Sequence, residues 1–228
     1  MNSLIELRNI SKVYQSGKER IVALQQESFR LKENDFLGIV GPSGAGKSTF
    51  LHILGGLEIP TQGEVLYKNK NIYALKDSHI CQWRNRKVGF VFQFYHLLEE
   101  LTVQENVSLP SFLLCKDRKT AFKKSQSLLQ YLDILDKKDC FPSELSGGQK
   151  QKVAIARALI NEPEMILCDE PTGNLDESSA RKIMDLLSLL NKEKGKTIVI
   201  VTHNHEIAKE AKTVFFMKGG RIIRQSNQ

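Results

Sequence analysis

No uninterrupted apolar run in this sequence approaches the ~20 residues that a bilayer-spanning helix needs. The longest, such as Met165–Cys168 and Ile198–Val201, are far shorter, so no membrane crossing is expected. Residues Met1–Ser16 lack a continuous hydrophobic segment followed by a small-residue cleavage site. They do not resemble a secretory leader, and the chain is expected to stay in the cytoplasm. The cysteines, Cys81, Cys115, Cys140 and Cys168, show no CxxC spacing, which argues against a zinc site or a disulfide framework and predicts reduced thiols. The densest basic stretches, Arg84–Lys87 and Lys116–Lys124, are short and lack the interleaved aromatics of a base-stacking surface. Internal repeats and low-complexity linkers are also missing.

What is present fits a folded α/β chain. With 228 residues, 41% of them hydrophobic and 26% charged, the composition supports a sizeable core and one domain, with room for a small subdomain. The net charge of +7 is compatible with nucleic acid, an anionic membrane surface or nucleotide phosphates, and by itself does not choose among them.

Short strands are expected at Leu4–Leu7, Glu27–Leu31 and Glu64–Tyr67, forming an antiparallel sheet beside the core. Phe36–Val40 reads as a buried strand, followed after a glycine-rich loop by a helix over Lys47–Leu57. Val88–Phe92 reads as another strand, and Lys119–Leu135 as an amphipathic helix within a helical insertion. From Lys150 onward, helix (Val153–Leu159), strand (Met165–Cys168), helix (around Ile183–Leu190) and strand (Thr197–Val201) alternate, the order that builds a parallel sheet. Thr213–Met217 and Arg221–Arg224 flank Gly219-Gly220 as a hairpin.

Gly41-Pro42-Ser43-Gly44-Ala45-Gly46-Lys47-Ser48-Thr49 matches G-x-x-x-x-G-K-[ST], and it lies between an expected strand and an expected helix. Glycines let backbone N–H groups converge on an anion, and the helix adds its positive dipole end. Lys47 is expected to reach the β- and γ-phosphates, Ser48 to coordinate Mg²⁺, and Thr49 to hydrogen-bond the α-phosphate. Roughly one chain in a hundred of this length carries the pattern by chance, and the strand–helix context lowers that further. Met165–Cys168 runs into Asp169-Glu170, two carboxylates at the end of a strand, where parallel sheets place ligands. Asp169 is the candidate Mg²⁺ partner and Glu170 the candidate base for the attacking water; without the Gly41 loop, two solvated strand-end acids would be the preferred reading.

Leu145-Ser146-Gly147-Gly148-Gln149 is a second small-residue loop ahead of a helix, with Ser146 able to donate to a phosphate oxygen. This LSGGQ sequence resembles the signature of the ABC ATPases. One ATP needs only one strand–loop–helix cradle, so the second is expected to serve a partner's nucleotide, which symmetry turns into two shared sites. The resemblance covers nearly the whole chain. It implies a P-loop NTPase fold with a RecA-like parallel core, an N-terminal antiparallel β subdomain and an inserted helical subdomain. As a domain division it implies one ABC ATPase domain over 1–228, with the core in 1–93 and 160–228 and the helical subdomain in 94–159.

By the same resemblance Gln93 matches the Q-loop and is a further Mg²⁺ contact. Gly173-Asn174-Leu175-Asp176 matches the D-loop, and His203 the switch histidine, catalytic together with Glu170 and Lys47. Tyr14 matches the aromatic that stacks on adenine, with a core or surface tyrosine as the alternative. Lys150 and Lys152 stand where relatives carry Gln or Glu and then Arg, and Cys168 where a small apolar residue is usual. Lys152 keeps the charge but loses the guanidinium fork.

Leu51–Leu57, Phe92–Leu98, Pro142–Glu144 and Pro171–Asp176 are most similar to the LolD type of lipoprotein-releasing transporter ATPases; macrolide-efflux (MacB-type) and FtsE-type ATPases share the Gly173–Asp176 wording. The resemblance implies ATP and Mg²⁺, a homodimer, two integral-membrane permease subunits, and a peripheral position on the cytoplasmic face of the inner membrane. Nucleic acid is not an expected partner. An ABC protein of DNA repair or translation is the competing class, and this chain lacks the coiled coil, zinc modules or second ATPase domain such proteins add.

Overall fold

The computed structural model describes residues 3–17, 19–114 and 117–227; Cys115 and Lys116, included in the readings above, lie outside them. The chain opens with β1 (Ser3–Ser16), β2 (Glu19–Lys32) and β3 (Phe36–Val40), then α1 (Lys47–Leu54), β4 (Gln62–Tyr67) and β5 (Lys70–Asn71). Next come α2 (Asp77–Lys87), β6 (Val88–Phe92), α3 (Val103–Phe112), α4 (Arg118–Tyr131) and α5 (Gly147–Leu159). β7 (Met165–Asp169), α6 (Glu177–Lys194), β8 (Thr197–Thr202), α7 (His205–Lys209), β9 (Thr213–Lys218) and β10 (Arg221–Asn227) complete it.

Two sheets result. β2, β1, β4 and β5 pair antiparallel in that order, while β10-β9-β3-β8-β7-β6 form a six-stranded sheet that is parallel apart from its β10 edge. Side chains alternate across this second sheet. Leu37, Ile39, Met165, Leu167, Val199 and Val201 pack into one core with Leu7, Leu24, Phe50 and Leu54, from the antiparallel sheet and α1. Phe36, Ile166, Cys168, Ile198 and Ile200 face the other way, into a core with Val107, Leu129, Val153 and Ile183. A strand buried on both faces has no polar positions to alternate with, which is why these strands read as short continuous apolar runs. Cys168 is fully buried, and burial pushes its thiol pKa up, so it behaves as a small hydrophobe.

The register aligns Val40 with Thr202, Val201 with Asp169, and Asp169 with Phe92. The carboxyl ends of β3, β8, β7 and β6 therefore share one rim of the sheet, and all four carry their candidate residues there.

Some elements differ from expectation. The helix expected through Leu135 ends at Tyr131, because Asp133 takes a left-handed φ of 53° and folds Leu132 and Ile134 back into the core. The helix expected through Leu57 ends at Leu54, where Gly55 and Gly56 follow. α2, α3 and α7 carry no clear amphipathic signal: α2 buries none of its residues, α3 contains Pro110, and α7 has five residues. α3 begins where Thr102 and Glu105 form a reciprocal capping box. No helix among the described residues is long and apolar enough to cross a membrane.

Candidate active site

The loop after β3 is shaped by close approaches that exclude side chains. A Cβ on Gly41 would stand 2.1 Å from Met217 O, and one on Gly46 would stand 2.3 Å from Ala23 O. Gly46 also holds φ 99° as the N-cap of α1, a conformation that L side chains rarely adopt. The first turn of α1 has no acidic residue, so its free N–H groups and dipole are available to an anion. Lys47 is only 8% exposed, and its Nζ donates to Gly41 O at 2.8 Å and Pro42 O at 3.0 Å. An ammonium sequestered among neutral carbonyls is short of negative charge, and this one sits beneath the loop.

Across the rim, Ser48 Oγ donates to Asp169 Oδ1 at 3.0 Å. Burial raises the Asp169 pKa, and the Glu170 charge adds to that, while the Ser48 hydrogen bond and the nearby His52 and Lys47 oppose it. A hydroxyl and a carboxylate converging at a phosphate loop are the hard oxygen donors that Mg²⁺ prefers. Among the described residues no three His, Cys, Asp or Glu side chains converge, so such an ion would draw the rest of its shell from phosphate and water.

Glu170 leaves β7 with φ 49°. Its Oε2 accepts from Thr202 Oγ1 at 2.8 Å; its Oε1 accepts from His203 N at 2.8 Å and lies 2.8 Å from His203 Nδ1. Tyr14, Ser43–Thr49, Gln93, Asp169, Glu170 and His203 all line one cleft of about 580 Å³, together with Ile21, Val22 and Ala23 of β2. Gly41 and Pro42 do not line it; they border a separate pocket that shares His203 with it. The Tyr14 hydroxyl is tied to Glu58 Oε2 at 2.5 Å and lies 3.2 Å from Thr49 Oγ1, and Lys12 in turn pairs with Glu58 at 3.0 Å. Gln93 Nε2 donates to Asn174 Oδ1 at 3.1 Å, and Asn174 Nδ2 returns a bond to Gln93 O at 3.1 Å.

Leu145–Gln149 do not line this cleft. Ser146 caps α5: its Oγ accepts from Gln149 N, and Gln149 Oε1 accepts from Ser146 N at 2.9 Å. Asp176 likewise caps α6 by accepting from Ser179 N at 2.9 Å; hydrogen bonds from Ser179 hold its pKa low. This second small-residue loop, at the N-terminus of α5, therefore lies outside the cleft.

The ABC transporter family model matches residues 24–173. The chain belongs to the ABC transporter family. It is similar over 97% of its length to an uncharacterized ABC transporter ATP-binding protein of Thermotoga maritima, with 45% identity and 94% of that protein covered. It is 41% identical to the lipoprotein-releasing system ATP-binding protein LolD of Syntrophus aciditrophicus, covering 96% of this chain and 99% of that one. An ATP-binding cassette of Methanocaldococcus jannaschii, solved as a dimer in a post-hydrolysis state bound to ADP and Pi, matches with a TM-score of 0.90 and 40% identity, covering 98% of both chains.

Lys152, at the position where the resemblance leads one to expect Arg, reaches Asp133 O with Nζ at 3.4 Å through a single donor. Four neighbours of the site carry no motif and were not singled out by sequence: Thr202 on Glu170, Glu58 on Tyr14, His52 with Nε2 3.8 Å from Asp169 Oδ2, and Arg157 against the loop after Gln93. Only their order next to a recognised motif, such as Thr202 before His203, hints at them.

Proposed function

We propose that this chain is the ATP-hydrolysing subunit of a transporter that releases lipoproteins from a bacterial inner membrane, working as a homodimer beneath two permease subunits. The observation that carries the reading is that the Ser43–Gly46 loop lines the cleft while the Ser146-Gly147-Gly148 loop, also at a helix N-terminus, lies outside it. A symmetric head-to-tail pair places the Ser146 loop of each copy over the Gly41 loop of the other.

In that arrangement the adenine rests against Tyr14 beside Ile21 and Val22, and the polyphosphate lies along the Gly41 loop, where Lys47 neutralises the β- and γ-oxygens. Ser48 and Asp169, with Gln93 above them, are the residues suited to hold Mg²⁺, which when bound offsets charge on the phosphate oxygens. Glu170 accepts a proton from the attacking water, and Thr202 and His203 fix the direction of its carboxylate. His203 and the γ-phosphate share that corner, so loss of the phosphate frees His203.

Permease contact is supported by a groove of about 670 Å³ lined by Leu57, Leu109, Leu113, Arg84 and Arg157, with Leu113 76% exposed. Lipoprotein release is supported by LolD-named relatives that match along nearly their full lengths, at 41% identity in Syntrophus aciditrophicus and 39% in Idiomarina loihiensis. Purification of the tagged chain from detergent-solubilised membranes tests this reading. Recovery with two permease-like proteins bearing large periplasmic domains is expected, and recovery with a division-site protein instead would overturn it.

A further inference from the structure

The segment after β6 bends in a way its residues do not favour. Tyr95 (φ 60°) and His96 (φ 49°) are consecutive non-glycine residues in the left-handed region, where a Cβ crowds the backbone. Both ends of the bend are fastened. Upstream, Gln93 exchanges two hydrogen bonds with Asn174; downstream, Asn106 accepts from Leu98 N at 2.8 Å and donates to Leu98 O at 2.9 Å.

The bend itself is held from α5. Arg157 Nη2 donates to Tyr95 O at 2.5 Å, and Nη1 donates to His96 O. The guanidinium gives each carbonyl its own nitrogen in a fixed plane and reaches further than a lysine side chain, whose single shorter-armed ammonium would have to serve both. Burial alone shifts the Arg157 pKa, which is lowered, with no carboxylate contributing. The guanidinium is therefore committed to backbone oxygens. Helix α5 also meets this segment at its other end, since a Cβ on Gly147 would stand 3.1 Å from the Tyr95 hydroxyl. One helix thus touches the Gln93 segment through its first residue, inside the signature, and again through Arg157 nearly three turns on.

We propose that Arg157 is a positioning residue that locks the Gln93–His96 bend to the signature helix, so that the state of a chain's own nucleotide cleft is passed to the loop it offers its partner copy. This rests on the shared-site reading above. Without the fork, Tyr95 and His96 relax toward ordinary backbone angles, Gln93 loses its place over the cleft, and the two sites lose their linkage while each still holds nucleotide.

The test uses the full chain with Arg157→Met, Arg157→Lys, and Arg157→Met combined with His96→Gly, since glycine adopts the left-handed region freely. Turnover is measured against ATP concentration, affinity with a fluorescent ATP analogue, and folding by thermal melting. Arg157→Met is expected to lower kcat about tenfold or more, leave KM and analogue affinity within about twofold, and bring the Hill coefficient from near two toward one. Arg157→Lys is expected to share that loss, and it decides the matter should the Met variant not fold. His96→Gly is expected to restore at least about a third of kcat to the Met variant. Unchanged kcat and Hill coefficient in both variants overturn the proposal. So does a parallel loss of affinity, melting temperature and kcat that glycine does not rescue, because that marks a purely structural arginine. An inactive wild-type chain in the same assay counts against the ATPase reading, and a wild-type Hill coefficient of one counts against the shared site.

Discussion

Glu170 Oε1 lies 2.8 Å from His203 Nδ1, and the same oxygen accepts the His203 backbone N–H at 2.8 Å. The carboxylate is thereby held in one orientation by the residue that would also sense the γ-phosphate. Glu170→Gln preserves shape and can keep the bond to Thr202, but it cannot accept a proton. Turnover is expected to fall by about 10²–10⁴-fold while ATP affinity stays within a few-fold. Steady-state phosphate release and nucleotide binding measured on the same preparation check this, and near wild-type turnover would remove Glu170 from its role.

The split cradles predict complementation between two dead variants. Lys47→Ala spoils a chain's own phosphate loop and leaves its signature intact, whereas Ser146→Arg does the reverse. Each alone is expected to be inactive. An equimolar mixture forms mixed dimers with one intact shared site, and is expected to recover up to about a quarter of wild-type turnover. A mixture as inactive as its components would speak against sites shared between copies.

Gly46 shows how little freedom the loop has. Its φ of 99° and the 2.3 Å approach of Ala23 O to a would-be Cβ make Gly46→Ala both strained and crowded. A loss of about 2–4 kcal/mol is expected, with nucleotide binding lost in parallel. Denaturant melts with and without ATP give both quantities.

Away from the cleft, Glu164 gathers three side chains: Oε1 accepts from Lys87 Nζ at 2.6 Å, and Oε2 from Lys68 Nζ at 3.0 Å and from the Tyr67 hydroxyl at 2.9 Å. Burial works to raise its pKa, but those hydrogen bonds prevail and bring it to about 2. The folded value lies below the unfolded one of about 4.3, so the stabilisation is complete above the unfolded value and is lost as pH falls toward about 2. Glu164→Gln is expected to destabilise by about 1–2 kcal/mol at neutral pH, a figure reduced for partial exposure, and to converge with the wild type near pH ~2. Melting both proteins across that range tests the sign.

The parts of this fold that read most clearly from sequence are those where one requirement dominates. Strands buried on both faces must be apolar throughout, which exposed β7 and β8, and the Gly41 loop must be glycine-rich to let its backbone approach an anion. Helices α2 and α3 stayed hidden because neither presents a regular apolar stripe; α2 covers the core's margin without burying a residue. At the site, residues that would touch nucleotide carry motifs. Those that hold them, Thr202, Glu58 and Arg157, act through single hydrogen bonds or backbone carbonyls, which leave no periodic trace. The union of Gln93 with Asn174 joins positions 81 apart in the chain, a pairing only the folded sheet brings about.

The left-handed backbone of Glu170 has a consequence for how this cassette can change. A regular strand would send neighbouring acids to opposite sides of the sheet; the twist at Glu170 is what lets Asp169 and Glu170 serve one cleft. Glycine would relax the peptide there but carries no carboxylate, so comfort and reactivity exclude each other at this point of the chain. On the function proposed above, any stabilising replacement at residue 170, in the laboratory or outside it, gives up the base.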